Sequence, residues 1–266
     1  MSNNKIFQGK WALVTGASAG IGVALARELA ARGANLVLTA RRKDRLEALA
    51  TELRATGSDV RTVSADLNDP AAPAAIFGET EAAGIPIDIL VNNAGLGLFG
   101  EFHTNPMEQE LSQIRVNCEA MVGIARLFVP RMVERRRGWV LITASTASFQ
   151  PVPYISTYAA TKAFDRMFAL GLAQEVARYG VKVTALCPGP TESEFFDVAR
   201  AGVFRKRGVQ TAEAVAKIGV DALLRGQRTV IPHLNGRLTA FAVRFLPVRW
   251  ITYFVDRAAR PSLPRA

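Results

Sequence analysis

Trp11-Ala12-Leu13-Val14-Thr15-Gly16-Ala17-Ser18-Ala19-Gly20-Ile21-Gly22 decides the fold of this 266-residue chain. Five residues of strand character run into a turn with three glycines, and helical periodicity begins at Gly20 and lasts to Arg32. Strand, glycine turn and helix in that order make a cradle for phosphate. Backbone without Cβ lets a ligand come close, and the N–H groups and dipole of the helix start face an anion.

Outward from that stretch, Asn35–Thr39, Val60–Ser64, Ile87–Asn92, Trp139–Thr143 and Lys182–Leu186 read as further strands, and Val230–Pro232 as a seventh. Helical periodicity fills the gaps at Lys43–Thr56, Pro70–Ala83, Met107–Arg136, Ile155–Tyr179 and Thr211–Gly226. Strands that alternate with helices build βαβ units, and strands this apolar need helices on both faces. The expected fold is α/β, a single-domain doubly wound, Rossmann-type parallel sheet of about seven strands, with an amphipathic helical tail. Its body is residues 1–232, and 233–266 form a basic tail packed on the body or on a partner.

Composition narrows the function. Two cysteines, Cys118 and Cys187, and two histidines, His103 and His233, have no ligand-like spacing, so neither a disulfide framework nor a metal site is indicated. Thirty-three Lys+Arg against 23 Asp+Glu give a net charge of +10, but the basic runs lack the aromatic interleaving of nucleic-acid modules and read as solvated faces. No apolar signal segment precedes Trp11, which makes a cytoplasmic location the expectation.

Two further features carry chemistry. Tyr158 and Lys162 are four residues apart, on one face of a helix, where the ammonium favours the phenolate of a group that otherwise titrates near about 10. Beside a bound dinucleotide they make a proton donor with its activator. Strand two ends in Thr39-Ala40-Arg41-Arg42, where a carboxylate would select NAD; arginine accommodates a 2′-phosphate and points to NADP(H).

From about Lys10 to about Thr211 the chain resembles the NADP(H)-using short-chain dehydrogenases/reductases. The resemblance implies that Gly16, Ser18, Ala19, Gly20, Ile21 and Gly22 hold the pyrophosphate, Arg41 and Arg42 the 2′-phosphate, and Asp66 and Leu67 the adenine. It implies that Asn92, Ala94 and Gly95 of Asn92-Asn93-Ala94-Gly95 line the cofactor, as do Pro188, Gly189, Thr191 and Ser193 at the nicotinamide. Ser145 stands where the family's catalytic serine does and Asn117 where its active-site asparagine does, positioning a water that leads protons to Lys162. Tyr158 then protonates the substrate oxygen as hydride arrives, while Lys162 also holds the nicotinamide ribose. Ala19 departs from the pattern, since many NADP-dependent members place a base there. Ser193 replaces the usual threonine and keeps the hydroxyl.

The resulting expectation is an NADP(H)-dependent oxidoreductase acting on a carbonyl or alcohol substrate of apolar character; the competing reading is a non-catalytic NADP(H)-binding sensor or scaffold. Asn93–Phe102 and Phe149–Ile155 should line the pocket mouth, with Phe195-Phe196 through Val203-Phe204 as lid. Phe241, Phe245, Trp250, Ile251 and Phe254 in the tail are too many large apolar groups to leave in water. Two short amphipathic helices about Pro247 would cover the chain's own cleft, close a homo-oligomer (dimer or tetramer), or lie on a membrane surface as a peripheral contact. Cleft or oligomer contact is favoured.

Overall fold

The computed structural model describes residues 5–195, 199 and 209–262. Seven parallel strands lie in the order β3-β2-β1-β4-β5-β6-β7. They are β1 (Trp11–Thr15), β2 (Asn35–Ala40), β3 (Val60–Ser64), β4 (Ile87–Asn92), β5 (Gly138–Thr143), β6 (Val181–Leu186) and β7 (Thr229–Val230). The last starts one residue and ends two residues earlier than its apolar run suggested, and it excludes Pro232, which has no N–H to give to a ladder.

Alternation along the strands sorts the core into two layers. Ala12 and Val14 of β1, with Leu36 and Leu38 of β2, pack against α1 (Gly20–Ala31), α2 (Lys43–Ala55) and α7 (Ala212–Arg225). Leu13, Val37, Leu90 and Val140 point the other way, onto α3 (Ala72–Gly78), α5 (Met121–Glu134) and α6 (Ser156–Val176). Every residue of β4 is buried, as a strand covered on both sides requires.

Two helical stretches are more broken than their periodicity suggests. Pro70–Ala83 yields α3 and a separate 3-10 turn at Glu81–Ala83, since the Thr80 hydroxyl donates back to the Ile76 carbonyl at 2.7 Å and ends the helix. Met107–Arg136 yields α4 (Met107–Ile114), a π turn at Arg115–Ala120 and α5. Such a turn inside a helix is frequent at functional sites, and Asn117 lies within this one.

The tail forms α8 (Leu234–Ala242) and α9 (Val248–Ala259) on either side of Pro247. Ala240, Ile251 and Ala259 are buried beneath them. Phe241, Phe245, Trp250 and Phe254 are more than half exposed, so the chain's own body does not cover them. A second exposed apolar patch lies on the outer faces of α4 and α6, at Met107, Leu111, Ile114, Phe164 and Met167.

Candidate active site

Between β1 and β4 the sheet reverses its winding, and open α/β sheets bind ligands beyond the carboxyl ends of their strands at that point. A cleft of about 860 Å³ opens there. Gly16, Ser18, Ala19, Gly20, Ile21 and Gly22 form one wall. Glycine is enforced sterically: a Cβ on Gly22 would stand 2.1 Å from the Gly16 carbonyl oxygen, and one on Gly16 would stand 2.9 Å from the Ala94 Cα. No side chain caps the start of α1, so its first N–H groups are left for an anion. These residues therefore fit the diphosphate of a dinucleotide.

Further along this wall lie Arg41, Arg42, Asp66 and Leu67. The two arginines differ. Arg42 donates to the Ser18 hydroxyl through Nε (3.2 Å) and Nη2 (3.1 Å), and its Nη1 lies 2.8 Å from Glu194, which also pairs with Arg45 at 2.6 Å. Both arginines hold the Glu194 carboxyl below the usual range. Arg41 is exposed at the cleft edge with its guanidinium unpaired among the described residues. A 2′-phosphate therefore meets Arg41 free, whereas Arg42 is already committed to Ser18 and to a carboxylate.

Ala94 and Gly95 line the cleft, but Asn92 does not. Its place at the end of β4 turns its side chain into the body, where Nδ2 donates to the Met121 carbonyl at 3.2 Å. Asn93, the next residue, takes the cleft position. Its Nδ2 donates to the Thr15 carbonyl (3.0 Å), and the Thr15 hydroxyl accepts from the backbone N–H groups of Asn93 (2.9 Å) and Ala94 (3.0 Å). This clasp fixes the ends of β1 and β4 together. Strand alternation was the available signal: of two adjacent asparagines only one can face the ligand.

Asn117 is buried and does not line the cleft either. Its Oδ1 accepts from the Leu96 N–H (2.8 Å), and its Nδ2 donates to the Leu96 carbonyl (2.9 Å) and the Thr161 hydroxyl (2.8 Å). The side chain thus braces the loop after β4 against α6. Both amide protons are spent on that brace, while Oδ1 keeps a second lone pair.

Ser145, Tyr158 and Lys162 do converge on the cleft. Ser145 follows β5 in extended conformation and its Oγ accepts from the Ala147 N–H at 3.1 Å. Tyr158 and Lys162 share a face of α6, with Nζ 6.0 Å from the phenol ring centre. Burial pushes the Tyr158 phenol above its ordinary pKa, while Lys162 and a hydrogen bond with Ser145 draw it down. Lys162 donates to the Thr143 carbonyl (2.8 Å) and to Asp165 (2.9 Å), which leaves one ammonium N–H for a ligand.

Asp165 is an addition that the sequence reading did not make. It lies one turn beyond Lys162 on α6 and is 2% exposed, with Oδ1 buried and unpaired. Burial opposes the Lys162 charge, yet Asp165 and Tyr158 outweigh it and hold the ammonium above the ordinary lysine pKa. The signal was present: an acid three residues after a functional lysine shares its helix face.

Pro188, Gly189, Thr191 and Ser193 close the cleft from the loop after β6. The substrate end is apolar, with Leu96, Leu98, Val152, Ile155 and Phe195 around Tyr158. The ring of Phe195 lies 5.2 Å from that of Tyr158. Phe102, by contrast, is exposed and borders a smaller neighbouring hollow, not the cleft. Of the expected lid, Phe196, Val203 and Phe204 lie outside the described residues. The tail completes the opening through Thr239, Ala240, Phe254, Val255 and Ala258. A hydrogen bond from the Tyr154 hydroxyl to Asp256 ties α9 to the substrate loop. Tyr154 holds a left-handed φ of 69°, a strained conformation for a bulky residue.

The same fold recurs among known proteins. Residues 10–203 match the family model of the short chain dehydrogenases. The NADP-dependent 3-hydroxy acid dehydrogenase YdfG of Salmonella typhi is 38% identical over 198 residues, which cover 74% of this chain and 79% of that one. The very-long-chain 3-oxoacyl-CoA reductase-B of Danio rerio is 36% identical over 262 residues, 93% of this chain and 79% of that one. A solved short-chain dehydrogenase from Sphingobium yanoikuyae in complex with NADPH is 32% identical, covers 96% of each chain and superimposes with a TM-score of 0.80. Two further relatives are longer: the chain spans 61% and 66% of their length.

Proposed function

The chain belongs to the short-chain dehydrogenase/reductase family, and from that premise we propose that it is an NADP(H)-dependent oxidoreductase acting on an apolar carbonyl or alcohol compound. One observation carries the reading: Ser145, Tyr158 and Lys162 meet on the wall of a cleft whose other wall is the glycine turn. A nicotinamide cofactor, held by that turn, Arg41 and the segment from Pro188 to Ser193, supplies the hydride chemistry when bound.

The chain's own residues handle the oxygen. The Ser145 hydroxyl donates to the substrate carbonyl oxygen and places it against the Tyr158 phenol. Tyr158 gives its proton to that oxygen in reduction and takes it back in oxidation. Lys162 stabilises the phenolate left behind, and its remaining N–H serves the cofactor ribose. Leu96, Leu98, Val152, Ile155 and Phe195 exclude water from the reacting carbon and favour an apolar substituent on it. NADP(H) is preferred over NAD(H) because Arg41 stands unpaired where an acid would repel the 2′-phosphate. An intact proton-transfer set in an open cleft argues against a non-catalytic binding role.

The test is a panel of ketones and aldehydes of graded size with NADPH, read at the nicotinamide absorbance, with Tyr158→Phe beside the wild type. Turnover should rise with apolar bulk and fall roughly 10²–10⁴-fold in the variant while cofactor still binds. Near-normal turnover in Tyr158→Phe would refute the assignment.

A further inference from the structure

The outward faces of α8 and α9 carry an apolar surface that the proposed reaction does not use. Leu234, Leu238 and Phe241 recur at helical spacing on α8, Phe245 and Leu246 continue past it, and Trp250, Tyr253 and Phe254 stand on α9. Arginines are interleaved with them. Between His233 and Ala266 the sequence has six arginines and a single acid, Asp256. That acid is already engaged by Tyr154 and Arg260. Arg244, Arg249 and Arg257 are exposed and have no ion-pair partner among the described residues.

We propose that this face docks the enzyme on an anionic lipid surface, with the mouth of its cleft turned to the bilayer. Charge chooses the occupant. A second copy set face to face by two-fold symmetry would bring this patch onto itself, opposing arginine to arginine with no free acid to pair them. An anionic bilayer supplies what the face lacks: negative headgroups for the guanidinium groups and an acyl boundary for Phe241, Phe245 and Trp250. No helix among the described residues is long and apolar enough to cross a membrane, so the contact lies in the interface plane.

Geometry links the docking face to the cleft. Turning around α9, Trp250 and Phe254 face out while Ile251 and Ala259 face the body, and Phe254 stands on both the exposed face and the cleft lining. Thr239 and Ala240 of α8 line the same opening. An apolar substrate dissolved in lipid would then reach Tyr158 between the two helices without crossing water. This delivery step rests on the apolar-substrate reading; the docking itself does not.

The experiment uses the full chain saturated with NADPH and no substrate. Sedimentation with vesicles of phosphatidylcholine, with and without phosphatidylserine, reads docking alone, and Trp250 reports insertion by a blue shift of its emission. Binding is expected to the phosphatidylserine vesicles at low salt and to weaken as salt rises. Replacing Arg244, Arg249 and Arg257 together by Gln should weaken partition on the order of 100-fold. Phe241→Ser with Phe245→Ser should also lose it, both sets retaining turnover of a small water-soluble ketone. Failure of the wild type to bind at low salt overturns the proposal. So does light scattering that shows self-association abolished by the Phe241/Phe245 pair, since the occupant would then be a second copy. A soluble apolar ketone turned over by an enzyme that ignores vesicles would refute docking and leave the proposed reaction standing.

Discussion

Replacing Asp165 by Asn removes one charge and little volume from beside the proton-transfer pair, and its two consequences are separable. The first is stability. Lys162 Nζ and Asp165 Oδ2 are 2.9 Å apart with both side chains at most 5% exposed. Breaking such a buried pair costs about 3–5 kcal/mol, because the partner keeps an uncompensated charge. Here Nζ retains the Thr143 carbonyl and borders the cleft, so the low end applies, about 3 kcal/mol. At roughly 2–4 °C per kcal/mol for a domain near this size, Tm should fall by about 6–12 °C in scanning calorimetry. Pairing Asp165→Leu with Lys162→Met should recover most of that loss, since an apolar pair of similar volume replaces a buried ion pair at little net cost.

The second consequence is the pH profile. Asp165 opposes the attraction between the Lys162 ammonium and the Tyr158 phenolate: the ammonium draws the phenol pKa down and the carboxylate pushes it up. With the carboxylate gone, the phenolate becomes easier to form and the Tyr158 pKa falls. Carbonyl reduction needs the phenol, so its alkaline limb should move to lower pH. Alcohol oxidation needs the phenolate, and its acid limb should move the same way. An Asp165→Asn enzyme with unchanged Tm and both limbs in place would refute the argument that this carboxylate acts on Lys162 and Tyr158.

Arg41→Ala should weaken NADPH roughly 10- to 150-fold, the worth of one hydrogen bond to a charged group, and leave NADH nearly untouched; equal losses for both in a fluorescence titration would make Arg41 a surface residue. Glu194→Gln should tighten NADPH binding, because it removes a carboxylate from beside the 2′-phosphate position and releases Arg42 and Arg45; isothermal titration showing weaker binding would mean that the Glu194 strap instead holds the cleft closed over its ligand. Tyr158 and Lys162 both hold their protons more tightly folded than unfolded, so the folded state binds more protons and stability should fall as pH rises above about 10. In Tyr158→Phe with Lys162→Met that alkaline slope should flatten, and an equal slope in the double variant would place its origin elsewhere.

The stretch from Trp11 to Gly22 determined the fold locally. A strand of that apolarity, a helix start without a capping side chain and the contact of Gly22 with the Gly16 carbonyl are requirements that neighbouring residues meet among themselves, whereas Gly16 and Gly20 are held to glycine by Ala94 and Ser193 across the fold. Tyr158 and Lys162 were legible for the same reason, since helical spacing alone puts them on one face. What the sequence could not settle is what each side chain finds across the fold. Two adjacent asparagines look alike until β4 is placed in the sheet, and then Asn92 turns inward to Met121 while Asn93 clasps Thr15. Arg41 and Arg42 look alike until Glu194, a hundred and fifty residues further along, takes Arg42 and leaves Arg41 free. Asn117 was recognised as important but not for what it touches, because its partners Leu96 and Thr161 come from the loop after β4 and from α6 and no local pattern names them. The tail shows the sharpest division. Its amphipathic helices about Pro247 follow from spacing, but whether Phe241, Phe245 and Trp250 face the body or the solvent depends on how α8 and α9 roll against the cleft. Tertiary packing chose to bury Ala240, Ile251 and Ala259 and left the large aromatics outside.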